Sequence, residues 1–459
     1  MDKNNNSPCD NEIRAFLTET EQYIDAVDSL SFETAAELYD LLNDAGKVAT
    51  INIKEIDPEL RVTICDRQDK VLDRIADVLP PFEKVGEPMS IFSPQLELFN
   101  TWYNFQIMKD CGLVGYLLAR EIGAKPTMFF GNEGEEYSYL DLLPGLEMLY
   151  RKPDENPEES YVSHLEKNYH EMDILVLYGM YQQSLGYLNA YRLGRPEGKV
   201  YCGLDMNTFW QKNVDWDDPA VHQFQGNCDV IATSCRKMRD ILNRTQVTRF
   251  PCYWIPNGFY NPYGIKIVAD AEYKENTILM VGRVGDGQKN NEELMLGFAA
   301  VASKLSGWTL RFVGPVDPKI EPFLEWYFKE YPALKERVIF TGRIVDKAEL
   351  YDEYARAKIF ALSSRTESGT PNVYSEALFH GCKFLTSDVD GADDMTNFGE
   401  LGEVYTRGDI KGLAEALIKV CSNTDVNAFK RHIPKALAYA ERYYDWNRIA
   451  KKLAFMLFN

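Results

Sequence analysis

Two cations lie on a glycine-rich stretch that follows an apolar run. The run TILMVG, residues 277–282, predicts a strand, and Arg283 and Lys289 come soon after Gly282. Because ligands bind at the carboxyl ends of parallel strands, an arginine and a lysine there could hold a diphosphate. The alternative is a solvated turn with two surface cations. The stretch matches neither a G-x-x-x-x-G-K-[ST] phosphate loop nor a G-x-G-x-x-G fingerprint, which weakens ATPase and dehydrogenase interpretations.

A second group of candidates follows the apolar run IFALSS, residues 359–364. A helix is predicted to begin near Pro371 and Asn372, since proline suits the first turn of a helix. The backbone N–H groups of that turn, including that of Val373, could bind the same diphosphate. Glu376 lies one turn further along. It could accept hydrogen bonds from both hydroxyls of a ribose, or it could be a first-turn glutamate that interacts favourably with the helix dipole.

Alternating apolar runs and helical stretches position these candidates. They predict two doubly wound, Rossmann-like α/β domains facing a cleft. The predicted strands are residues 126–131, 173–179, 199–205 and 228–234 in the first domain, and 277–282, 309–314, 338–342, 359–364 and 383–388 in the second. The expected boundaries are 1–88 for a helical extension that could support an oligomer, 89–256 and 257–428 for the two domains, and 429–459 for a C-terminal helix crossing back to the first domain.

Composition excludes several classes of protein. The 459 residues are 45% hydrophobic and 26% charged, an ordinary globular mixture, and the length fits two or three domains. The net charge of −20 disfavours nucleic acid as a partner. The nine cysteines and five histidines show no metal-ligand spacing, so no metal is expected. Without a signal peptide or a long apolar run, a cytoplasmic location is expected, with peripheral attachment to the inner face of the membrane as an alternative.

Several motifs, taken in order, resemble the donor domain of family 4 retaining glycosyltransferases of the GT-B fold. The motifs are Ile255-Pro256-Asn257-Gly258, Gly282-Arg283 to Lys289, Phe340-x-Gly342, the segment 364–376, and Thr386-Ser387-Asp388 with Gly391. The resemblance is strong over residues 255–400, weak over 89–254 and absent before residue 89. It implies the GT-B fold, which consists of two such α/β domains.

The resemblance also implies a role for each residue of the second domain. Arg283 and Lys289 would hold the diphosphate of a nucleotide sugar, Glu376 the ribose, and the backbone from Gly342 to Ile344 the base. The implied donor-binding residues are Gly282, Arg283, Lys289, Gly342, Ile344, Glu367, Ser368, Gly369, Thr370, Pro371, Asn372, Val373 and Glu376.

One family motif is displaced in this sequence. The family has two glutamates in an E-x7-E arrangement, and the first contacts the donor sugar. The position that should carry the first glutamate before Glu376 is Ser368, and the neighbouring glutamate is Glu367. Either the turn is rearranged so that Glu367 reaches the sugar, the interpretation we favour, or Ser368 replaces it with a weaker hydroxyl contact.

The first α/β domain offers fewer candidates. Gly112 and Gly115 resemble the family's glycine turn, where backbone can approach a ligand closely, or they could let a helix pack closely. Asp205, with Asn207 nearby, stands at a strand end where many relatives carry a sugar-contacting histidine. Asp205 could bind a sugar hydroxyl, act as a base toward the acceptor, or cap the following helix.

The implied activity is that of a retaining glycosyltransferase, such as a hexosyltransferase, of the EC 2.4 class. It would move a sugar from a nucleoside diphosphate sugar, with UDP favoured over GDP, to a glycan, glycolipid or protein acceptor in polysaccharide biosynthesis, with no cofactor or metal. The candidate catalytic residues are Glu367, Asp205, Arg283 and Lys289. Two alternatives stay open: a glycosyltransferase-like partner subunit with little catalytic activity, and a sugar-nucleotide epimerase on the same fold.

Overall fold

The computed structural model describes residues 7–82, 89–94, 104–131, 137–152, 155–245 and 251–459. The chain divides into two compact units. The first is Met1–Pro256 with Trp446–Asn459, and the second is Asn257–Asp445. Each unit has a parallel sheet of its own.

Three helices precede the first sheet: α1 (Pro8–Asp25), α2 (Phe32–Ile51) and α3 (Pro58–Val78). Each begins after a residue whose side chain accepts a backbone N–H of the first turn, namely Ser7, Ser31 and Asp57. The buried Arg239 guanidinium pairs with Asp66 and Asp69 of α3. These contacts join the helices to the body of the first unit.

Seven strands form the first sheet: β1 (Ser90–Pro94), β2 (Lys125–Gly131), β3 (Glu147–Arg151), β4 (Ile174–Tyr178), β5 (Lys199–Leu204), β6 (Val230–Thr233) and β7 (Cys252–Trp254). Its helices are α4 (Asp110–Ile122), α5 (Pro157–Asn168), α6 (Gln182–Gly194), α7 (Thr208–Gln211), α8 (Pro219–Gly226) and α9 (Arg236–Arg244). The strand order is β3-β2-β1-β4-β5-β6-β7, and every pair is parallel. The order therefore reverses between β1 and β4, the switch point where doubly wound sheets bind ligands.

Six strands form the second sheet: β8 (Glu275–Val281), β9 (Thr309–Val313), β10 (Val338–Phe340), β11 (Ala357–Leu362), β12 (Lys383–Ser387) and β13 (Gly402–Tyr405). Its helices include α10 (Asn291–Val301), α11 (Glu321–Glu330), α12 (Lys347–Arg356), α13 (Asn372–Phe379), α14 (Ala392–Thr396) and α15 (Ile410–Cys421). The order β10-β9-β8-β11-β12-β13 is again parallel throughout, with its switch point between β8 and β11. Two doubly wound parallel sheets confirm the predicted fold class.

Four strands were not predicted: β1, β3, β7 and β13. Three of them, β3, β7 and β13, are edge strands. β3 and β13 are largely not buried, so these two lack the continuous apolar run that is typical of an interior parallel strand. β1 is interior, but its sequence SIFSP has only two successive apolar residues, Ile91 and Phe92, between serines. The interior strands of the second sheet have five to seven residues and are mostly buried, and all of them were predicted.

The single C-terminal helix expected over residues 429–459 is wrong. Two helices are present, α16 (Val426–Tyr443) and α17 (Trp446–Phe458). The break is held by Phe259, whose N–H donates to the Tyr444 carbonyl at 2.7 Å. That carbonyl is therefore engaged outside the helix. Within the described ranges, none of these helices is both long enough and apolar enough to cross a membrane.

Candidate functional site

Two loops leave the carboxyl ends of β8 and β11, on either side of the switch point of the second sheet. We call residues 282–290 the first switch loop and residues 363–371 the second switch loop. The Gln288 side chain donates to the carbonyl of Thr366 at 2.9 Å, and the Arg365 N–H donates to the carbonyl of Gln288 at 2.7 Å. The two loops are thus fixed to each other although 78 residues separate Gln288 from Thr366.

Glycines allow backbone to pack closely beneath both loops. A Cβ at Gly314 would lie 1.9 Å from the carbonyl oxygen of Gly282, and Gly314 has a φ of +147°. A Cβ at Gly391 would lie 2.6 Å from the carbonyl oxygen of Gly369. Neither position has room for a side chain, so both glycines are needed to seat the loops as observed.

Each predicted cation of the first switch loop is paired with a carboxylate. Lys289 Nζ lies 2.6 Å from Glu367 Oε1, and their side chains are only 15% and 9% exposed. Arg283 Nε lies 2.8 Å from Asp286 Oδ2, with the arginine side chain 60% exposed. The structure therefore brings Glu367 to Lys289, while Arg283 stands at the surface.

The second switch loop leads into α13, which begins after Pro371 as predicted. Asn257 Nδ2 donates to the Thr370 carbonyl at 3.0 Å, and Ser375 Oγ donates to the Gly258 carbonyl at 3.1 Å. The residue at its N-cap is Pro371, whose side chain makes no capping hydrogen bond. A helix N-terminus of this kind offers backbone N–H groups and a positive dipole end to an anion.

Two residues that sequence reasoning missed hold Glu376. The Tyr354 hydroxyl donates to Glu376 Oε2 at 2.7 Å, and Lys347 Nζ lies 3.5 Å from Glu376 Oε1. Burial, followed by the charge of Glu376, raises the pKa of Tyr354 well above its ordinary value, so the phenol stays a donor. Both residues lie on α12. Its sequence is that of an ordinary amphipathic helix, so neither residue could be recognised from the sequence as part of a site.

The loop before α12 carries the residues assigned to the base. Gly342 has a φ of +73°, a left-handed conformation that glycine adopts without strain. Its carbonyl accepts the Gly314 N–H at 2.9 Å, which ties this loop to the backbone below the first switch loop. Ile344 is partly exposed and lies between Gly342 and Lys347.

The first sheet carries a different cluster at its carboxyl edge. Asp205 follows β5 and accepts a hydrogen bond from the Tyr181 hydroxyl at 3.3 Å. Asp110, the first residue of α4, is hydrogen-bonded by Tyr178, and burial, followed by the charge of Asp205, raises its pKa. The residues Asp110, Tyr178 and Tyr181 were not predicted, because only the strand order places them near Asp205.

The remaining candidates of the first unit make contacts within the protein. A Cβ at Gly112 would lie 2.6 Å from the backbone of Ile107, and one at Gly115 would lie 2.4 Å from Ser93 Oγ. Asn207 Oδ1 accepts two backbone N–H groups at the start of α7. Close packing and capping account for these contacts, and the predicted ligand contacts of the two glycines stay predictions.

Comparison with known proteins addresses the second unit most directly. Residues 275–423 match the family described as glycosyl transferases group 1. The matched segment contains both switch loops, α12 and α13. A phosphatidyl-myo-inositol mannosyltransferase from Mycobacterium leprae is 25% identical over 177 residues, which are 39% of this chain and 45% of that protein. The chain thus spans less than half the length of this curated relative.

Solved structures resemble both sheets. HepE from Anabaena in complex with UDP has a TM-score of 0.59 at 16% identity, covering 80% of this chain and 98% of that one. Sucrose-phosphate synthase from Thermosynechococcus elongatus has a TM-score of 0.55 at 18% identity, covering 80% and 97%. The similarity to these structures shows the GT-B fold, and the family match lies within the second α/β domain of that fold.

No cluster of three or more histidine, cysteine, aspartate or glutamate residues that could hold a metal ion occurs in the part of the chain that the structure describes.

Proposed function

We propose that this protein transfers a glycosyl group from a nucleoside diphosphate sugar to an acceptor hydroxyl, with retention at the anomeric carbon. The observation that carries the proposal is the Lys289–Glu367 pair at the switch point of the sheet that matches the glycosyl transferases group 1 family. A partly buried cation and a carboxylate stand together there, at the edge where such sheets bind nucleotides.

The diphosphate would bind between Lys289, Arg283 and the N-terminus of α13. When the bond between the anomeric carbon and the phosphate oxygen breaks, negative charge accumulates on that oxygen. Lysine and arginine side chains and helix N–H groups stabilise such charge, and this stabilisation is often the largest contribution to catalysis. The acceptor oxygen forms the new bond to the anomeric carbon and gives up its proton to a base, for which Asp205 is the candidate. This donor site needs no metal ion to neutralise the leaving group.

The nucleoside would bind along α12 and α13. Each carboxylate oxygen accepts more than one hydrogen bond, so Glu376 can receive ribose hydroxyls while Tyr354 and Lys347 hold it in place. The base would lie against the backbone from Gly342 to Ile344. UDP is the favoured nucleotide and GDP the alternative, and the solved HepE complex contains UDP.

The two remaining catalytic assignments concern the sugars. Glu367 would contact the donor sugar from beside Lys289, and Ser368 is the rival for that position. Asp205 would bind the acceptor or accept its proton. A glycan, glycolipid or protein is proposed as the acceptor, with retention carried over from the family resemblance. A cytoplasmic location and a role in polysaccharide biosynthesis belong to the same proposal.

The test is nucleotide binding by wild type, Lys289→Ala and Glu376→Ala. Thermal shift and calorimetry would be run with UDP, GDP, ADP and their sugars. UDP is expected to raise the Tm of wild type, and both substitutions should abolish the shift. Lys411→Ala is the matched control, because Lys411 is 88% exposed and pairs only loosely with Glu415. Unchanged shifts in the two site variants would overturn the donor site.

Product analysis separates the proposal from its rivals. Wild type incubated with UDP-sugars would be followed by NMR of the sugar's anomeric proton. Release of UDP with transfer or slow hydrolysis supports a transferase. Conversion of the donor to an isomer without any acceptor would indicate an epimerase instead. Nucleotide binding with no turnover across the whole donor panel would favour the partner-subunit interpretation.

A further inference from the structure

Two large aromatic side chains stand in solvent on one short helix of the first unit. Phe209 is 60% exposed and Trp210 is 58% exposed, both on α7. Their rings pack edge to face, with centroids 5.5 Å apart at an angle of 78°. Aromatic residues of this size supply much of the buried apolar area of a fold, so an exposed adjacent pair calls for a ligand.

The backbone that carries the pair is held rigidly. Asn207 Oδ1 accepts the N–H groups of Phe209 and Trp210 themselves, at 3.0 and 2.9 Å. The Asn213 side chain donates to the Phe209 carbonyl at 3.3 Å, and the Trp216 indole donates to the Gln211 carbonyl at 3.1 Å. The rings therefore sit on a preorganised turn, which lowers the entropic cost of binding.

The turn lies beside polar groups at a strand end. β5 ends at Leu204, Asp205 follows, and α7 begins at Thr208. Asp205 is partly exposed, and among the described residues Tyr181 donates a hydrogen bond to it. A carboxylate has about four lone-pair positions, so Asp205 can accept further hydrogen bonds from hydroxyls of a ligand.

Charge argues against a lipid surface as the partner. Residues 205–218 contain four aspartates, at positions 205, 215, 217 and 218, and one lysine, Lys212. Amphipathic segments that bind anionic membranes are rich in lysine and arginine, and this one has a net charge of −3. An uncharged ligand with both an apolar face and hydroxyl groups fits the aromatic pair and the carboxylate together. A pyranose ring has both.

We propose that Phe209 and Trp210 form the stacking platform of a carbohydrate site, and that Asp205 accepts hydroxyl hydrogen bonds there. The inference rests on the proposed function, since the carbohydrate would be the acceptor. It names that acceptor as a neutral oligosaccharide, and it excludes a segment that inserts into a membrane.

The test compares full-length wild type with the double variant F209A/W210A on an array of neutral gluco-, manno- and galacto-oligosaccharides. Wild type is expected to bind at least one oligosaccharide series, and the double variant should lose at least tenfold in affinity. Trp326→Ala is the matched control, because Trp326 is 48% exposed in the second unit and should leave glycan binding unchanged.

A second arm uses sedimentation with vesicles of phosphatidylcholine alone and of phosphatidylcholine with phosphatidylglycerol. The thermal shift with UDP is measured on every variant. No glycan binding by wild type, or equal binding by the double variant, overturns the platform, and so does vesicle binding that depends on Trp210. If the UDP shift persists in those cases, only the platform fails. Its absence from wild type would mean that the donor-binding proposal itself is wrong.

Discussion

The carboxyl edges of the two sheets share a strand topology but carry different groups. In the first sheet the strand order reverses between β1 and β4, and in the second sheet it reverses between β8 and β11. At the second edge, two carboxylates meet lysines, Glu367 with Lys289 and Glu376 with Lys347. At the first edge, the carboxylates Asp110 and Asp205 meet tyrosine hydroxyls.

This difference shows that the fold sets the position of a site, whereas the loops set its chemistry. A doubly wound sheet brings the loops after its two central strands together, whatever their sequence. The chemistry comes from the residues on those loops. Paired cations suit a diphosphate, whereas carboxylates beside exposed aromatic rings suit hydroxyl groups and the apolar face of a sugar.

The largest expected effect comes from the carboxylate that pairs with Lys289. Glu367→Gln should lower transfer about 100-fold or more, a loss typical of removing a group that acts in the transition state. The same substitution should tighten UDP binding, because Lys289 then no longer has a competing negative charge. Steady-state transfer rates and calorimetry with UDP measure the two effects.

Ser368→Ala is the comparison variant for that experiment. It should change transfer much less than Glu367→Gln does. A larger loss in Ser368→Ala would assign the sugar-contacting position to the serine and remove Glu367 from the candidate catalytic residues.

The seating of the second switch loop gives the next largest effect. Gly391→Ala places a Cβ 2.6 Å from the Gly369 carbonyl oxygen, and overpacking of this kind costs about 1–3 kcal/mol. We expect a lower Tm and weaker UDP binding than in wild type. Oligosaccharide binding by the first unit should be unchanged. Thermal melts measure the Tm, and calorimetry measures the affinity for UDP. Gly287→Ala is the control, since a Cβ there meets nothing within 4 Å. Equal stability of the two variants would contradict the packing argument.

The hydroxyl that holds Glu376 should have a smaller effect. Tyr354→Phe removes a donor to a carboxylate, a hydrogen bond of about 1.5–3 kcal/mol, and should weaken UDP binding roughly tenfold. The preference for UDP over 2′-deoxy-UDP should shrink, because Glu376 is less well oriented toward the ribose. Tyr351→Phe is the matched control, being a buried tyrosine of the same helix. If both variants bind UDP equally, Tyr354 is only a packing residue.

The smallest expected effect tests the first edge. The pKa of Asp110 is raised by burial and by the charge of Asp205, so its ionised form is disfavoured in the fold. At a pH above its raised pKa, the ionised Asp110 lowers the free energy of unfolding. This loss of stability disappears as the pH falls below 3.8, the ordinary pKa of an aspartate. Asp110→Asn should therefore raise the Tm at pH 7, and the difference from wild type should narrow toward pH 4. Thermal melts across that range check it, with the exposed Asp44→Asn as control. A gain that does not depend on pH would contradict this explanation.

Prediction from the sequence succeeded where local signals are strong. The interior strands of the second sheet are apolar and end in small or polar residues, and they lie where predicted. The start of α13 after Pro371 was predicted for the same kind of reason. The break between α16 and α17 was missed because it depends on Phe259, a residue far away in the chain.

The site was predicted only in part, for a related reason. Lys289 and Glu376 stand in motifs, so their types and spacing are visible in the sequence. Tyr354 lies in an ordinary amphipathic helix, and its contact with Glu376 arises because α12 and α13 pack side by side. Asp110 was missed likewise, since its neighbour Asp205 comes four strands later along the chain, after β5.

The sequence by itself determined which residues follow each strand. It therefore determined that cations and glycines follow β8 and that glutamates and a glycine follow β11. It also determined the parallel α/β class, because strands and helices alternate. Only the tertiary structure decided that Glu367 meets Lys289 across 78 residues and that Tyr354 meets Glu376. Strand order sets which loops become neighbours, and that order results from the packing of the whole sheet and its helices, which no local pattern contains.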